Sequence, residues 1–249
     1  MASPKRARST RRWVSAVLRL SRMPSGEPEI FLSIQGEGRT AGTPSTFVRL
    51  ATCNLACSWC DTAYTWDWAS FEYDEQVLQM DAAEVSKRVE ALDTGNVVIT
   101  GGEPLLQSLD ALVGELTGAG HTVEIETNGT IAPSPALIAS VTRWNVSPKL
   151  ANSGNPANKR EVPGALSAFA KMPNADWKFV IVEPADVDEA AVLADHYSVP
   201  PERVALMPEG TSSTVIQAKS VWLASAATER GFRFSSRLQV MLWGTERAR

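Results

Sequence analysis

The stretch CNLACSWCD, residues 53 to 61, holds all 3 cysteines of the chain: Cys53, Cys57 and Cys60. A disulfide uses two sulfurs and a tetrahedral zinc site takes four ligands, so three thiols suit neither. Thiolates also hold iron–sulfur clusters, and a C-x3-C-x2-C spacing lets one loop wrap three corners of a cubane. The fourth iron then stays open to an outside ligand, much as a catalytic zinc keeps one position free. The competing reading is a zinc knuckle completed by His121 or His196, or thiols with no ligand at all. Both histidines stand far along the chain from the loop.

Such a loop needs a rigid element to launch it. TFVRLA (46 to 51) alternates and is rich in β-formers, which predicts a strand running straight into Cys53. MDAAEVSKRVEAL (80 to 92) has helical spacing, and NVVIT (96 to 100) is a short apolar run of the kind buried in parallel sheets. The alternation continues with a helix over 104 to 120, a strand over 121 to 127, a short helix over 134 to 140 and a strand over 143 to 148. Further helices are predicted over 164 to 172, 187 to 198 and 215 to 231, with strands over 176 to 182 and 203 to 208. Six strands separated mostly by helices imply an α/β fold of right-handed parallel βαβ units. Ligands bind at the carboxyl ends of such strands. The residues with chemistry stand there: Cys53 to Thr62, Gly101 to Pro104, Thr127 to Gly129, and Ser147 to Lys149. The polar stretch 149 to 164 reads as a surface loop or a lid.

The chain has 249 residues, enough for one sizeable domain, and its 44% hydrophobic and 21% charged residues are ordinary for a globular protein. No apolar run is long enough to span a membrane. Three clustered cysteines cannot build a secreted-type disulfide framework, which points to the cytoplasm. The net charge of -4 hides an asymmetry: seven of the 24 basic residues fall within positions 1 to 22 with no acid, leaving 17 against 28 acidic residues beyond. Residues 1–25 are therefore read as a basic leader, disordered or upstream of a true start at Met23, and residues 26–249 as the domain. The acidic body argues against a nucleic-acid partner.

Cysteines in this spacing after a first strand, with TGGEP (100 to 104) after the second, resemble the radical S-adenosylmethionine (SAM) superfamily. Within it, FLSIQGEG, CNLACSWCDTAYTWD, ETNGT, SPK and RLQVMLWG resemble the 7-carboxy-7-deazaguanine synthase family, from about Glu29 to Trp243. That resemblance implies an abridged radical SAM partial (β/α)6-type barrel in a single domain. It implies a 4Fe-4S cluster on Cys53, Cys57 and Cys60, with SAM chelating the fourth iron and reductive cleavage yielding a 5′-deoxyadenosyl radical. In the family this radical takes hydrogen from C6 of 6-carboxy-5,6,7,8-tetrahydropterin, the ring contracts and ammonia leaves, a carbon–nitrogen lyase step on the route to queuosine. The implied partners are the pterin, a reductant such as a flavodoxin, and a second copy in a homodimer.

Residue roles follow from the same resemblance. Ile34, Gln35, Gly36 and Glu37 are expected at the substrate, with Gln35 and Glu37 suited to the amide and amino edge of a pterin. Arg49 offers a fork-shaped cation for the substrate carboxylate, and Thr100 is a further substrate contact. Trp59, Cys60, Asp61, Gly102, Glu103, Ser147, Pro148 and Lys149 are expected around SAM, with Glu103 receiving the methionine ammonium. Thr62 supplies a hard oxygen for Mg²⁺. Glu126 and Asn128 face the same rim, without an assigned role. The chain ends WGTERAR where family members often end WGNxRG plus one residue, and Gln239 stands where a histidine is common. The rival readings are a glycyl-radical activase-type radical SAM enzyme, which the SIQGEG and CDT segments disfavour, and a non-catalytic metal-binding module.

Overall fold

The computed structural model describes residues 16–249. Ten strands among them form one sheet: β1 (Val17–Ser21), β2 (Ile30–Ile34), β3 (Pro44–Leu50), β4 (Val77–Asp81), β5 (Asn96–Gly101), β6 (Thr122–Thr127), β7 (Arg143–Val146), β8 (Ala175–Ile181), β9 (Val204–Pro208) and β10 (Arg233–Phe234). The order is β10-β9-β8-β7-β6-β5-β3-β1-β4, with β2 paired to β3. The run from β3 through β5 to β10 is parallel. β1, β2 and β4 pair antiparallel at the β3 end. The sheet is open and fits the expected partial barrel. No helix among the described residues is long and apolar enough to cross a membrane.

All six predicted strands are present, as β3 and β5 to β9. The predicted helix over 104 to 120 is broken into a 3-10 turn, Pro104–Leu106, and a helix, Asp110–Gly118. Gln107 lies in the break and its side chain bridges strands, accepting from Arg19 N (2.7 Å) and donating to the carbonyls of Arg19 (3.0 Å) and Ala51 (3.2 Å). The predicted helix over 80 to 92 starts instead at Ala82, because Met80 and Asp81 pair with Leu18 and Val17 as the end of β4.

The expected domain start at residue 26 is corrected by β1. Leu18 and Leu20 are buried in the main core, and the strand hydrogen-bonds along its length with β4. Its alternation of apolar and polar residues is that of a half-buried strand, and Arg19 on it, beside a basic stretch, obscured the signal. Residues 1–15 of the expected leader lie outside the described residues.

Each parallel strand has two faces. Val48, Leu50, Val97, Ile99, Val123, Ile125, Trp144, Trp177, Phe179 and Leu206 join the apolar core. That core includes Leu112, Leu116, Leu166 and Phe169 from the helices Asp110–Gly118 and Pro163–Ala170. The alternate positions Arg49, Thr100, Glu124, Glu126, Asn145, Asp176 and Lys178 share the other face, since side chains of a strand alternate. All of these except Arg49 and Glu126 are buried, so the concave side of the barrel is lined with polar groups that must find partners.

Candidate active site

A cavity of about 290 Å³ lies over that concave face, lined by residues from the carboxyl ends of β3, β5, β6, β7, β8 and β9. Cys53, Cys57, Trp59, Cys60, Asp61 and Thr62 line it from the loop after β3; Thr100 and Gly102 line it from β5; Ser147 and Lys149 line it after β7. Ile34, Gln35, Gly36, Glu37 and Arg49 line it as well.

The cysteine loop is fixed at both ends. Thr52 turns out of β3 at φ 77, a strained conformation for a β-branched residue. Its N–H donates to Thr65 O (2.6 Å) and its carbonyl accepts from Glu103 N (2.8 Å). Gly102 passes so close that a Cβ there would lie 2.1 Å from the Thr52 carbonyl oxygen. The segment expected to be a surface loop or lid, 149 to 164, instead braces the cysteine loop. Ser58 N donates to Ser153 O (3.0 Å), Ala56 N to Asn155 Oδ1 (2.9 Å), and Trp59 Nε1 to Asn152 Oδ1 (3.2 Å). Ser153 and Asn155 are buried in consequence. Lys149 holds Ser147 through its carbonyl (3.0 Å) and Oγ (2.9 Å), with Nζ 5.6 Å from the Trp59 ring centre.

Two expected SAM contacts, Glu103 and Pro148, lie outside the cavity lining, and two expected substrate contacts, Gln35 and Glu37, line it with side chains already bonded within the protein. Glu103 does not line the cavity: it is fully buried, and its carboxylate accepts from Leu105 N (2.9 Å), Thr127 Oγ1 (2.8 Å) and Asn128 N (2.7 Å). It ties β5 to β6, and burial raises its proton affinity. Pro148 is buried behind Ser147 and is likewise absent from the lining. Gln35 and Glu37 face the cavity but their side chains are engaged within the protein. Gln35 Nε2 donates to Glu124 Oε1 and Glu126 Oε1, both at 3.1 Å, and its Oε1 accepts from Glu37 N (3.2 Å).

The Glu37 carboxylate sits among Lys178 Nζ, Arg237 Nε (3.2 Å) and Gln239 Nε2 (2.6 Å). Burial alone would raise this acid, but Lys178 and Arg237 hold it down to about 2. Arg237 also donates to Asp61 and to Gly210 O (2.5 Å). The loop 35 to 40 is thereby joined to the C-terminal segment, with Leu238 N donating to Gly36 O (3.0 Å) and Gly38 N to Ser235 Oγ (2.8 Å).

Arg49 Nε donates to Glu29 Oε1 (2.8 Å), and among the described residues its two Nη groups have no hydrogen-bond partner. Glu29 is fully buried and also accepts from Tyr64 OH (3.2 Å) and Arg247 Nη2 (2.8 Å). Arg247 lies 3.6 Å above the Tyr64 ring centre and donates to Arg22 O (2.7 Å). The unusual C-terminus is thus anchored across the cavity, and Trp243 to Arg249 line its rim.

Sequence reasoning missed Lys178, Glu29, Arg237, Arg247, Asn155 and Trp66. Lys178, set beside the apolar run FVIV in a predicted strand, was the one available signal, because a buried cation requires a partner. The zinc-knuckle reading loses its fourth ligand: His121 Nδ1 bonds Thr94 O (2.8 Å) at the amino ends of β5 and β6, away from the cysteine loop, and His196 packs on Tyr197.

The model of the radical SAM superfamily matches residues 48–149. The 7-carboxy-7-deazaguanine synthase of Pyrobaculum aerophilum is 39% identical over 228 residues, covering 89% of this chain and 96% of the relative. Those of Halobacterium salinarum and Hyperthermus butylicus are 38% and 35% identical, covering 86% and 95% of this chain and 89% and 98% of their own. The chain belongs to the 7-carboxy-7-deazaguanine synthase family. The crystal structure of QueE from Escherichia coli shares the fold, with a TM-score of 0.65 at 22% identity over 89% of this chain and 94% of that one.

As a radical SAM enzyme the protein uses a 4Fe-4S cluster and SAM. The residues present fit the cluster. The three cysteines are free, half-buried and turned into one cavity. Each sulfur lies near a side-chain N–H: Asn128 Nδ2 at 4.0 Å from Cys53, Asn155 Nδ2 at 3.3 Å from Cys57, and Trp66 Nε1 at 3.2 Å from Cys60. Burial pushes the Cys53 thiol up to about 11 and raises Cys57 as well, with the Lys149 charge opposing both. Cluster uptake therefore displaces protons from these thiols.

Proposed function

We propose that this protein converts 6-carboxy-5,6,7,8-tetrahydropterin to 7-carboxy-7-deazaguanine with loss of ammonia, in 7-deazapurine and queuosine biosynthesis. The observation that carries the reading is that the three cysteines share one cavity with Arg49, whose Nη groups are free while Glu29 fixes its Nε. A cluster site and a carboxylate-binding cation so placed suit a small anionic substrate held beside the cofactor.

Bound in the cavity, the cluster and SAM supply the one-electron chemistry that removes hydrogen from C6 of the pterin. This chain's residues bind, orient and shield. Cys53, Cys57 and Cys60 hold the cluster. Trp59, Asp61, Gly102, Ser147 and Lys149 lie on the SAM side, with Glu103 and Pro148 supporting the wall behind. Arg49 takes the substrate carboxylate through its Nη groups, and Thr100 and the backbone of Ile34 to Glu37 border the ring. Thr62, whose hydroxyl lies 3.6 Å from Cys60 Sγ, offers the oxygen for Mg²⁺. The strap from Trp243 to Arg249 excludes water from the rim. A flavodoxin-type reductant supplies electrons, the chain pairs with a second copy, and it works in the cytoplasm.

The test is anaerobic incubation of reconstituted protein with the carboxytetrahydropterin, SAM, Mg²⁺ and a reductant, followed by chromatography for the deazaguanine acid. Product is expected, together with its loss in Arg49→Met. An intact cluster that cleaves SAM but yields no product would refute the substrate while sparing the superfamily.

A further inference from the structure

The cysteine sulfurs are approached by nitrogen donors from three separate segments. Trp66, just beyond the loop, points its indole N–H at Cys60 Sγ (3.2 Å) and has no other hydrogen-bond partner for that group among the described residues. Asn155, from the bracing segment, donates through Nδ2 to Cys57 Sγ (3.3 Å). Its Oδ1 is taken by Ala56 N, which fixes the amide orientation. Asn128 Nδ2 stands farther off, 4.0 Å from Cys53, and also donates to Asn54 Oδ1 (2.9 Å).

A donor aimed at a cluster thiolate withdraws electron density from sulfur, and hydrogen bonds to the sulfurs are among the groups that set a cluster's potential. Reduction adds one negative charge, so each donor stabilises the reduced form more than the oxidised form and raises the midpoint. We propose that Trp66 and Asn155 are positioning residues that act through Cys60 and Cys57 to raise the reduction potential of the cluster, easing its one-electron reduction by an external donor. The proposal rests on the cluster assignment above.

The experiment is potentiometric titration of the reconstituted holoenzyme, following the reduced cluster by electron paramagnetic resonance. Trp66→Phe keeps a ring and removes the donor. The reduced-to-oxidised ratio at a fixed potential is expected to fall about three- to tenfold, and tenfold corresponds to about 59 mV for a one-electron couple. Asn155→Asp retains an acceptor for Ala56 N, replaces the donor by a carboxylate, and is expected to lower the midpoint further. An unchanged midpoint in Trp66→Phe with normal iron and sulfide content overturns the proposal, as does a fall confined to Asn155→Asp, which would mean that charge alone is responsible.

Wild-type protein labelled with ¹⁵N-indole tryptophan keeps the test independent of any variant that fails to fold. The reduced cluster is expected to show a resolved nitrogen and exchangeable-proton coupling, and its absence overturns the assignment of Trp66. Wild-type protein that takes up no iron or sulfide would defeat the cluster reading itself. A loaded cluster with an unshifted midpoint defeats only the tuning role.

Discussion

Lys178 and Glu37 form an ion pair in the barrel interior, their side chains only 6% and 13% exposed. Against burial, which raises it, Lys178 and then Arg237 bring the Glu37 carboxyl down from 4.5 to about 2. At about 1.4 kcal/mol per tenfold change in proton affinity, that difference is worth roughly 3 kcal/mol of stability. Lys178→Met keeps the aliphatic stem and deletes the charge. Arg237 and Gln239 remain on the carboxylate, so the expected loss is about 3 kcal/mol, the low end of the range for breaking a buried pair. For a chain of this length that lowers Tm by roughly 6–12 °C.

The pH dependence has a definite sign. A depressed carboxyl contributes stability that is present above its unfolded value near 4.5 and is lost as pH falls toward 2. The gap between wild type and Lys178→Met is therefore expected to narrow from pH 7 to pH 3. The measurement is urea unfolding of the cluster-free protein at both pH values, followed by circular dichroism. The double variant Lys178→Met/Glu37→Gln leaves no orphaned carboxylate and is expected to recover part of the loss. A single-variant cost below about 1 kcal/mol at pH 7, where a buried pair should cost several, or a gap that does not change with pH, would refute the electrostatic account.

Burial pushes Glu124 up to about 7 against a hydrogen bond from Thr40, with the Glu126 charge adding to the rise. The stability of its neutral form is full below 4.5 and lost as pH rises through 7, so Glu124→Gln is expected to raise Tm at pH 8.5 and hardly at pH 5; an equal change at both values would count against this. Gly102→Ala puts a Cβ 2.1 Å from a backbone oxygen that cannot move aside, whereas Gly36→Ala meets the end of the Gln239 side chain, which can. Iron uptake on reconstitution is expected to collapse in the first and persist in the second, and equal uptake would contradict the steric reading. Arg247→Ala removes the donor to Glu29 Oε2 and Arg22 O and the cover over Tyr64. Limited proteolysis is expected to open residues 244 to 249, with a raised KM for the pterin; an unaltered cleavage pattern would show that the strap is held elsewhere.

Six of the seven parallel strands were legible because each carries its own local signal, an alternating or apolar run rich in β-formers and bounded by helices and turns. The cysteine loop was legible for the same reason: its ligand spacing is local to eight positions. β1 was hidden because its alternating residues include arginine and adjoin a basic stretch, and only pairing with β4 and the burial of Leu18 and Leu20 reveal it as sheet. Gln35 and Glu37 were identified as cavity residues, but their employment was not, since a carboxylate reads the same whether it meets a ligand or a lysine.

The sequence by itself determined the alternation of helices with six of the parallel strands, the strand ends at which the cavity residues gather, and the loop that carries all three thiols. Tertiary structure alone decided which charges neutralise one another. Glu37 meets Lys178 across a separation of 141 residues, Asp61 meets Arg237 across 176, and Glu29 meets Arg247 across 218. The physical reason is that the energy of a buried charge depends on the distance to its counter-ion in space. No local pattern records that distance until the sheet has brought the partners together.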